Sequence, residues 1–439
     1  MREFTRDETT QTADDKLMPV VYGQQNLVID KAEDTRIWDV NGNEYLDAVA
    51  GIAVVNTGHS HPTVVEALQD QAEKFVQSSY YFYHEPMSNL LETLAEKSPG
   101  ELNNTFFGNS GAEAVEGAIK LAKKATGSSE LISLRGSFHG RTPGAMALTG
   151  QSKYTHTFHP HMPGAYQIPS PNYYRYGDRF ESEEEFGKWA AEQIYEVIKY
   201  DSNDDIAAVF VEPIQGEGGI IVPPENYLPY VKEICEKEDL LFVADEVQTG
   251  MGRTGELFAV DHWDVEPDIM TLAKGIGSGM PFGLFMGTEE VSETMDPGDH
   301  YTTYGGHPMA CAAANATFEV IEDESLVENA ATVGEKALDR LAEMKEDYDL
   351  IGDVRGKGLH IGVELVKDRS TREAADEAAG DVRAEAYNKG LLVSQCGTHK
   401  NVIRLTPPLT VSSEDMSTML DRLEAAIRTV SNDMKIEAR

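Results

Sequence analysis

Three ionisable residues stand where short apolar runs end. Ile206 to Val211 leads into Glu212-Pro213, Leu240 to Ala244 into Asp245-Glu246, and Ile269 to Ala273 into Lys274-Gly275. In an open parallel sheet, ligands gather beyond the carboxyl ends of the strands. Neighbouring strands of this kind deliver two carboxylates and an amine to one rim. A charge at the end of an apolar strand is costly to desolvate without a partner. A lysine held there loses proton affinity, as a Schiff-base nucleophile requires. Singly, strand-end acids cap turns and lysines reach out to water; together, with glycines following Lys274, the three residues predict a reactive site.

The elements that must position them follow from the apolar pattern. Between Gly108 and about Gly287, non-alternating runs (Leu131 to Leu134, Ile206 to Val211, Leu240 to Ala244, Ile269 to Leu272) are separated by helical stretches such as Tyr227 to Glu238. That pattern predicts an α/β fold whose mainly parallel sheet is covered by helices on both faces. Upstream, a polar tail precedes an entry segment, Leu17 to Asp47, with turn signals at Gly23 and Asn41-Gly42-Asn43. Helices are expected at Pro62 to Ser78 and Pro86 to Lys97, each opening on a proline. Further helices are expected at Pro308 to Ile321 and Ser325 to Glu346. A smaller α/β unit then runs from Ile351 to the end, with strands at Leu359 to Val366, Leu391 to Ser394 and Val402 to Leu405 and helices at Arg372 to Asn388 and Ser413 to Val430. Tyr166 to Glu185, rich in Pro, Tyr and charge, reads as a surface excursion. The expected division is an N-terminal segment (1–60) packing with a small domain (326–439), and a large domain (61–325) between them.

Composition excludes whole classes of function. Of 439 residues, 75 are acidic and 37 are Lys or Arg, a formal charge of −38. Nucleic acid and anionic membrane surfaces are repelled by that field. A solvated acidic shell suited to high salt is the expectation. Cys235, Cys311 and Cys396 lie far apart without CxxC spacing, which predicts neither disulfides nor a zinc knuckle and fits a reducing compartment. Met1 to Lys16 lacks the basic start and apolar run of a signal peptide, and no apolar run approaches the ~18 residues of a membrane span; a cytoplasmic location is expected. Gly250-Met-Gly252-Arg-Thr-Gly255 matches the spacing of a dinucleotide-binding turn, but the broken segment Glu256 to Pro267 supplies no crossover helix. The same glycines mimic a P-loop, with Glu256 where the phosphate-binding lysine belongs. His156, His159 and His161 read as a polar loop rather than a metal site, because Pro160 breaks any helix and no acid stands among them.

Longer blocks carry a resemblance. Leu241-Phe-Val-Ala-Asp245-Glu-Val-Gln248-Thr-Gly250-Met-Gly-Arg-Thr-Gly255 and Pro267-Asp-Ile-Met-Thr-Leu-Ala-Lys274-Gly275 resemble the signature of class III pyridoxal-phosphate aminotransferases. Asn109 to Glu113, Phe138 to Thr142, Val211 to Gly219, Thr303 to Gly306 and Val402 to Pro408 resemble family blocks in family order. The resemblance implies a fold-type-I enzyme that binds pyridoxal 5'-phosphate (PLP) and runs a ping-pong transfer of nitrogen from an amino donor to a 2-oxo acid. It implies that Lys274 forms the Schiff base and shuttles a proton, and that Asp245 pairs with the ring nitrogen. Val247 and Phe138 would sandwich the ring, Gln248 would reach its phenolic oxygen, and His139 and Glu212 would complete the cofactor's surroundings. Ser110, Gly111 and Ala112 would offer N–H groups at a helix start to the phosphate; Ser110-x-x-Glu113 is also a capping box in its own right. Thr303 resembles a threonine that reaches the phosphate of a neighbouring subunit, which implies a homodimer, or a tetramer of such dimers, with shared sites.

For the substrate, Arg404 resembles the arginine that holds the carboxylate beside the reacting carbon, and Glu217 its gate. Arg141 resembles an arginine used for a distal carboxylate. Ile52 stands where 4-aminobutyrate-type members carry isoleucine, which tilts the expectation towards ω-amino acids. Ile351 to Gly358 and Gly397 to Arg404 look closer to alanine–glyoxylate and related ω-aminotransferases, and His307 stands where many relatives have asparagine. Relatives that racemise amino acids or eliminate phosphate use the same lysine, so a racemase or lyase is the alternative. A non-enzymatic acidic scaffold would leave Lys274 and Asp245 idle.

Overall fold

The computed structural model describes residues 5–18 and 25–437; the turn expected at Gly23 lies outside them. At its centre is a sheet of seven strands: β1 (Asn104–Gly108), β2 (Glu130–Leu134), β3 (Ala165–Ile168), β4 (Ile206–Val211), β5 (Leu241–Asp245), β6 (Ile269–Ala273) and β7 (Gly283–Gly287). The spatial order is β1-β7-β6-β5-β4-β2-β3. Strand β7 alone runs antiparallel to its neighbours. All six residues of β4 and all five of β6 are buried, as continuous apolar runs demand when both faces of a sheet are covered. β4, β5 and β6 are adjacent, so the three ionisable residues that end them share one rim.

The helix that follows β1, Gly111–Thr126, shows how local sequence fixes that rim. Ser110 Oγ accepts the N–H of Glu113 at the start, and Gly127 ends the helix in the left-handed region at φ 74°. Gly117 faces the Phe285 ring so closely that a Cβ there would overlap it, so the helix can lie tight on β7 only with glycine at that position. The expected capping box forms by half: Glu113 Oε2 turns back to the N–H and amide of Asn109, both at 2.8 Å, instead of to Ser110 N–H.

Two smaller sheets complete the chain. Ile29–Glu33, Arg36–Asp39 and Glu44–Asp47 form an antiparallel ribbon, joined in parallel by Leu391–Leu392. Ile351–Lys357, His360–Asp368, Val402–Leu405 and Ser394–Cys396 form the C-terminal sheet, with Glu373–Ala374 added to one strand. The single strand expected over Leu391 to Ser394 is therefore two, one in each sheet. The helix expected from Arg372 starts at Asp376, because Glu373–Ala374 is drawn into the sheet. The excursion expected from Tyr166 is corrected as well: Ala165–Ile168 is the edge strand β3, and a helix, Glu183–Tyr200, starts at its far end. The polar tail holds a capped helix, Arg6–Lys16, in which Thr5 and Glu8 cap each other.

Arg253 binds the parts together. It is fully buried, and its guanidinium donates to Asn56 Oδ1 (2.7 Å), Leu359 O (3.2 Å) and Pro407 O. The glycine-rich stretch around it is thus a core junction, with no helix to support a dinucleotide. Among the described residues, no group of His, Cys, Asp and Glu is arranged to hold a metal, and no helix is long and apolar enough to cross a membrane.

Candidate active site

The rim of β1, β2, β4, β5 and β6 opens on a cavity of about 490 Å³ lined by Ser110, Gly111, Ala112, Phe138, His139, Arg141, Glu212, Asp245, Val247, Gln248 and Lys274. Asp245 is 4 % exposed and receives three hydrogen bonds. His139 Nδ1 lies 2.7 Å from one carboxylate oxygen; Thr271 Oγ1 and the N–H of Val247 each donate to the other at 3.1 Å. The His139 ring is buried. Burial works against its protonation, and the bond and charge of Asp245 outweigh it, so its pKa stands above the ordinary histidine value.

Glu212 is anchored by two backbone donors, Phe138 N–H (2.8 Å) and Gly216 N–H (2.9 Å). It therefore shapes the loop that carries Phe138 and His139. Burial pushes its carboxyl up to about 7, with His139 pulling down and Asp245 pushing up. Lys274 follows β6 directly, with φ 48°, a left-handed conformation that costs of order 1–3 kcal/mol for a side chain of this kind. Burial lowers its pKa against the pull of Glu217.

A buried ion pair reaches this region from the C-terminal sheet. Arg404, 2 % exposed, is paired with Glu217 through Nη1, and it also donates to Ser394 Oγ (3.0 Å) and Gln248 Oε1 (3.3 Å). The pair holds Glu217 below the ordinary carboxylate range despite burial. Arg141 lies over two rings, 4.6 Å from the centroid of Tyr154 and 5.7 Å from that of Phe138. Ile52 and Thr303 stand apart: both are exposed and neither lines the cavity.

The residues fit a planar cofactor with a phosphate arm. Among the described residues the N–H groups of Gly111 and Ala112 have no acceptor, and both residues line the cavity at the positive end of a 16-residue helix. A Cβ at Gly111 would sit 2.8 Å from Val247 Cγ1, so glycine keeps open the space beside that side chain. The buried carboxylate of Asp245, with its fixed direction, would suit a ring nitrogen, and among the described residues Lys274 is the one lysine on the lining.

Sequence comparison agrees with this geometry. The family model for aminotransferase class III matches residues 17–427. The chain belongs to the class III aminotransferases. These enzymes are PLP-dependent, and so is this one. It is 42 % identical over 414 residues to the acetylornithine aminotransferase of Methanopyrus kandleri, covering 94 % of this chain and 97 % of the relative. It is 41 % identical over 414 residues to the leucine/methionine racemase of Thermococcus litoralis, covering 92 % and 91 %. Among solved structures, an (S)-enantioselective omega-transaminase from Thermomicrobium roseum superposes with a TM-score of 0.92 at 34 % identity, covering 98 % of this chain and 100 % of that one.

Several residues of this class III site were not singled out by the sequence. Thr271 lies opposite Asp245 in the β5/β6 register, and its signal was a hydroxyl inside an otherwise apolar run. Ser394 and Tyr154 had no such mark. Glu246, next to Asp245, turns the other way: it is buried, its Oε1 accepts Val260 N–H at 2.9 Å, and Thr249 Oγ1 donates to its other oxygen.

Burial pushes the carboxyl of Glu246 up to about 8 from an ordinary 4.5. A raised folded-state pKa adds stability that is whole below pH 4.5 and is lost as pH climbs to about 8, at roughly 1.4 kcal/mol per pH unit as an upper bound. Glu246→Gln cannot ionise, so its thermal midpoint should fall less than that of the wild type between pH 5 and pH 8, by several degrees. Parallel midpoints across that range would show that Glu246 is not the group responsible.

Proposed function

We propose that the chain transfers the amino group of an ω-amine bearing a distal carboxylate, such as 4-aminobutyrate or an N-acylated ornithine, to a 2-oxo acid. The observation that carries this reading is the buried Arg404–Glu217 pair, whose charges act on Lys274, together with Arg141 on the cavity lining. An ω-amine has no carboxylate on its reacting carbon, and Glu217 then neutralises Arg404. A 2-oxo acid brings its own carboxylate, and a bidentate pair with Arg404 replaces Glu217. Arg141, stacked on Tyr154, suits the distal carboxylate of the donor.

When bound, PLP supplies an electron sink that takes up the substrate nitrogen. The protein's residues do the rest. Lys274 Nζ takes and returns the proton at the reacting carbon, a task in line with the lowering of its pKa by burial. Asp245 keeps a proton on the ring nitrogen, while His139, Thr271 and Val247 N–H fix the carboxylate's direction. Gly111 and Ala112 N–H groups hold the phosphate. Phe138 and Val247 would bound the ring, and Gln248, which accepts from Arg404, would lie between it and the ion pair.

A second reading is amino-acid racemisation. It is supported by the 41 % identity to the leucine/methionine racemase and by 39 % identity over 412 residues to the isoleucine 2-epimerase of Lentilactobacillus buchneri. We also propose a homodimer working in the cytoplasm. Tyr81, Phe82, Tyr83, Tyr301 and Tyr304 are each at least half exposed, and Ser79 Oγ and Tyr301 Oη lie 2.6 Å apart, which ties the two aromatic segments together beside Thr303. A second copy would cover that apolar surface and bring Thr303 to the partner's phosphate site.

Lys274→Ala should lower turnover at least about 10³-fold, and borohydride should no longer fix the cofactor to the chain by mass spectrometry; undiminished activity overturns the assignment. With Arg404→Lys, loss of the bidentate pair should raise KM for 2-oxo acids about tenfold or more, with little change for amines that lack an α-carboxylate. Equal losses for both substrate types would refute the Glu217 gate, and a racemised product in a chiral assay without net nitrogen transfer would favour the second reading. Sedimentation should give twice the chain mass, shifting to the monomer in Tyr301→Asp.

A further inference from the structure

Apart from the cofactor cavity, a larger hollow of about 740 Å³ is lined by Lys153, Arg175, Lys367, Arg372 and Lys400 against two carboxylates, Glu373 and Asp376. The whole chain has 75 acids for 37 Lys and Arg, so the balance is inverted here. In a molecule of charge −38, a concave basic surface is where a small anion finds an attractive potential. Three of its cations are anchored by acids: Arg175 by Glu364, Arg372 by Asp178 at 2.6 Å and Lys367 by Glu373 at 2.8 Å. Lys153 is different. Its ammonium donates to the carbonyl of Gly397 at 3.0 Å and lies 4.8 Å over the Tyr154 ring, with no carboxylate in ion-pair reach among the described residues. Burial lowers its pKa against the pull of Glu217, and the charges of Lys400 and Arg141 lower it further, which sets Lys153 among all three.

Lys153 therefore connects the hollow to the substrate side of the active site. Tyr154 packs edge-on to Phe138 at 5.2 Å and carries Arg141 on its ring. Gly397 N–H donates to the Glu217 carbonyl at 3.0 Å. Cations enter the hollow from two parts of the chain. Lys153 and Lys400 belong with the loop beside Glu217, whereas Arg175 and Arg372 flank the Tyr174 ring at 5.6 and 5.0 Å. That arrangement suits a molecule with a negative charge at each end.

We propose that this hollow is a second anion site that holds a small dicarboxylic acid, one carboxylate at Lys153 and Lys400 and the other towards Lys367 and Arg372, next to the route to Arg404. Its link to turnover rests on the reading of Arg404 as the 2-oxo-acid receptor; its binding does not. Lys367 and Lys400 are exposed and lie outside the catalytic machinery, so Lys367→Gln/Lys400→Gln leaves the core untouched. Calorimetric titration of the PLP-loaded enzyme with glutarate at fixed salt should give two molecules per chain, one of which shifts the cofactor absorbance. The double variant should bind one, with that absorbance shift unchanged, and acetate should not fill the lost site. The KM of the wild type for a dicarboxylic 2-oxo acid should rise about fivefold in the variant, with kcat and the KM for pyruvate unmoved. A single glutarate in the wild type, or two in the variant, overturns the proposal. If no 2-oxo acid is turned over at all, the proposed function fails while the titration still decides the anion site.

Discussion

A charge buried at the end of a strand must be partnered, and the placement of Asp245 answers that requirement in full. Its two oxygens meet an imidazole, a hydroxyl and a backbone N–H. Each donor comes from a different part of the rim: the loop after β2, strand β6 and the turn after β5. Left without partners, a carboxylate so deeply buried would be costly to keep in a dry site. Its orientation is thus tied to the packing of three neighbouring segments. Glu212 extends the arrangement by fixing the loop that carries His139, and Lys274 completes it from the next strand.

Two buried carboxylates side by side in the chain have opposite tasks. Asp245 faces the cavity and is surrounded by donors from the site. Glu246 points into the core beneath the glycine-rich loop, where burial favours its neutral form. Alternation along extended backbone separates them. The same economy appears at Gln248, which lines the cavity and also accepts from Arg404, so one residue touches both the cavity and the buried ion pair.

Much of this was legible from apolar runs and the residues that end them. Glu212, Asp245 and Lys274 follow continuous runs, and continuous runs make buried parallel strands whose ends share a rim. Strands with weaker patterns were not legible. Asn104–Gly108 is polar at its start, Gly283–Gly287 is framed by glycines, and Ala165–Ile168 runs into a segment whose prolines and tyrosines resemble loop sequence. Leu391 to Ser394 looked continuous because sequence cannot reveal that a chain changes sheets mid-run. Thr271 and Ser394 hold their partners across neighbouring strands, opposite Asp245 and Arg404, and a lone hydroxyl carries no local mark of such a partner. The glycines around Arg253 mimicked a nucleotide-binding turn because a turn crossing a core junction needs the same small residues.

Arg253 also limits how the molecule can breathe. Its guanidinium clasps the segments at Asn56, Leu359 and Pro407, and pulling any of them away would strand a cation in the apolar interior. The three segments are therefore held in fixed relation around one buried cation, and a substitution at any of them is felt at the other two.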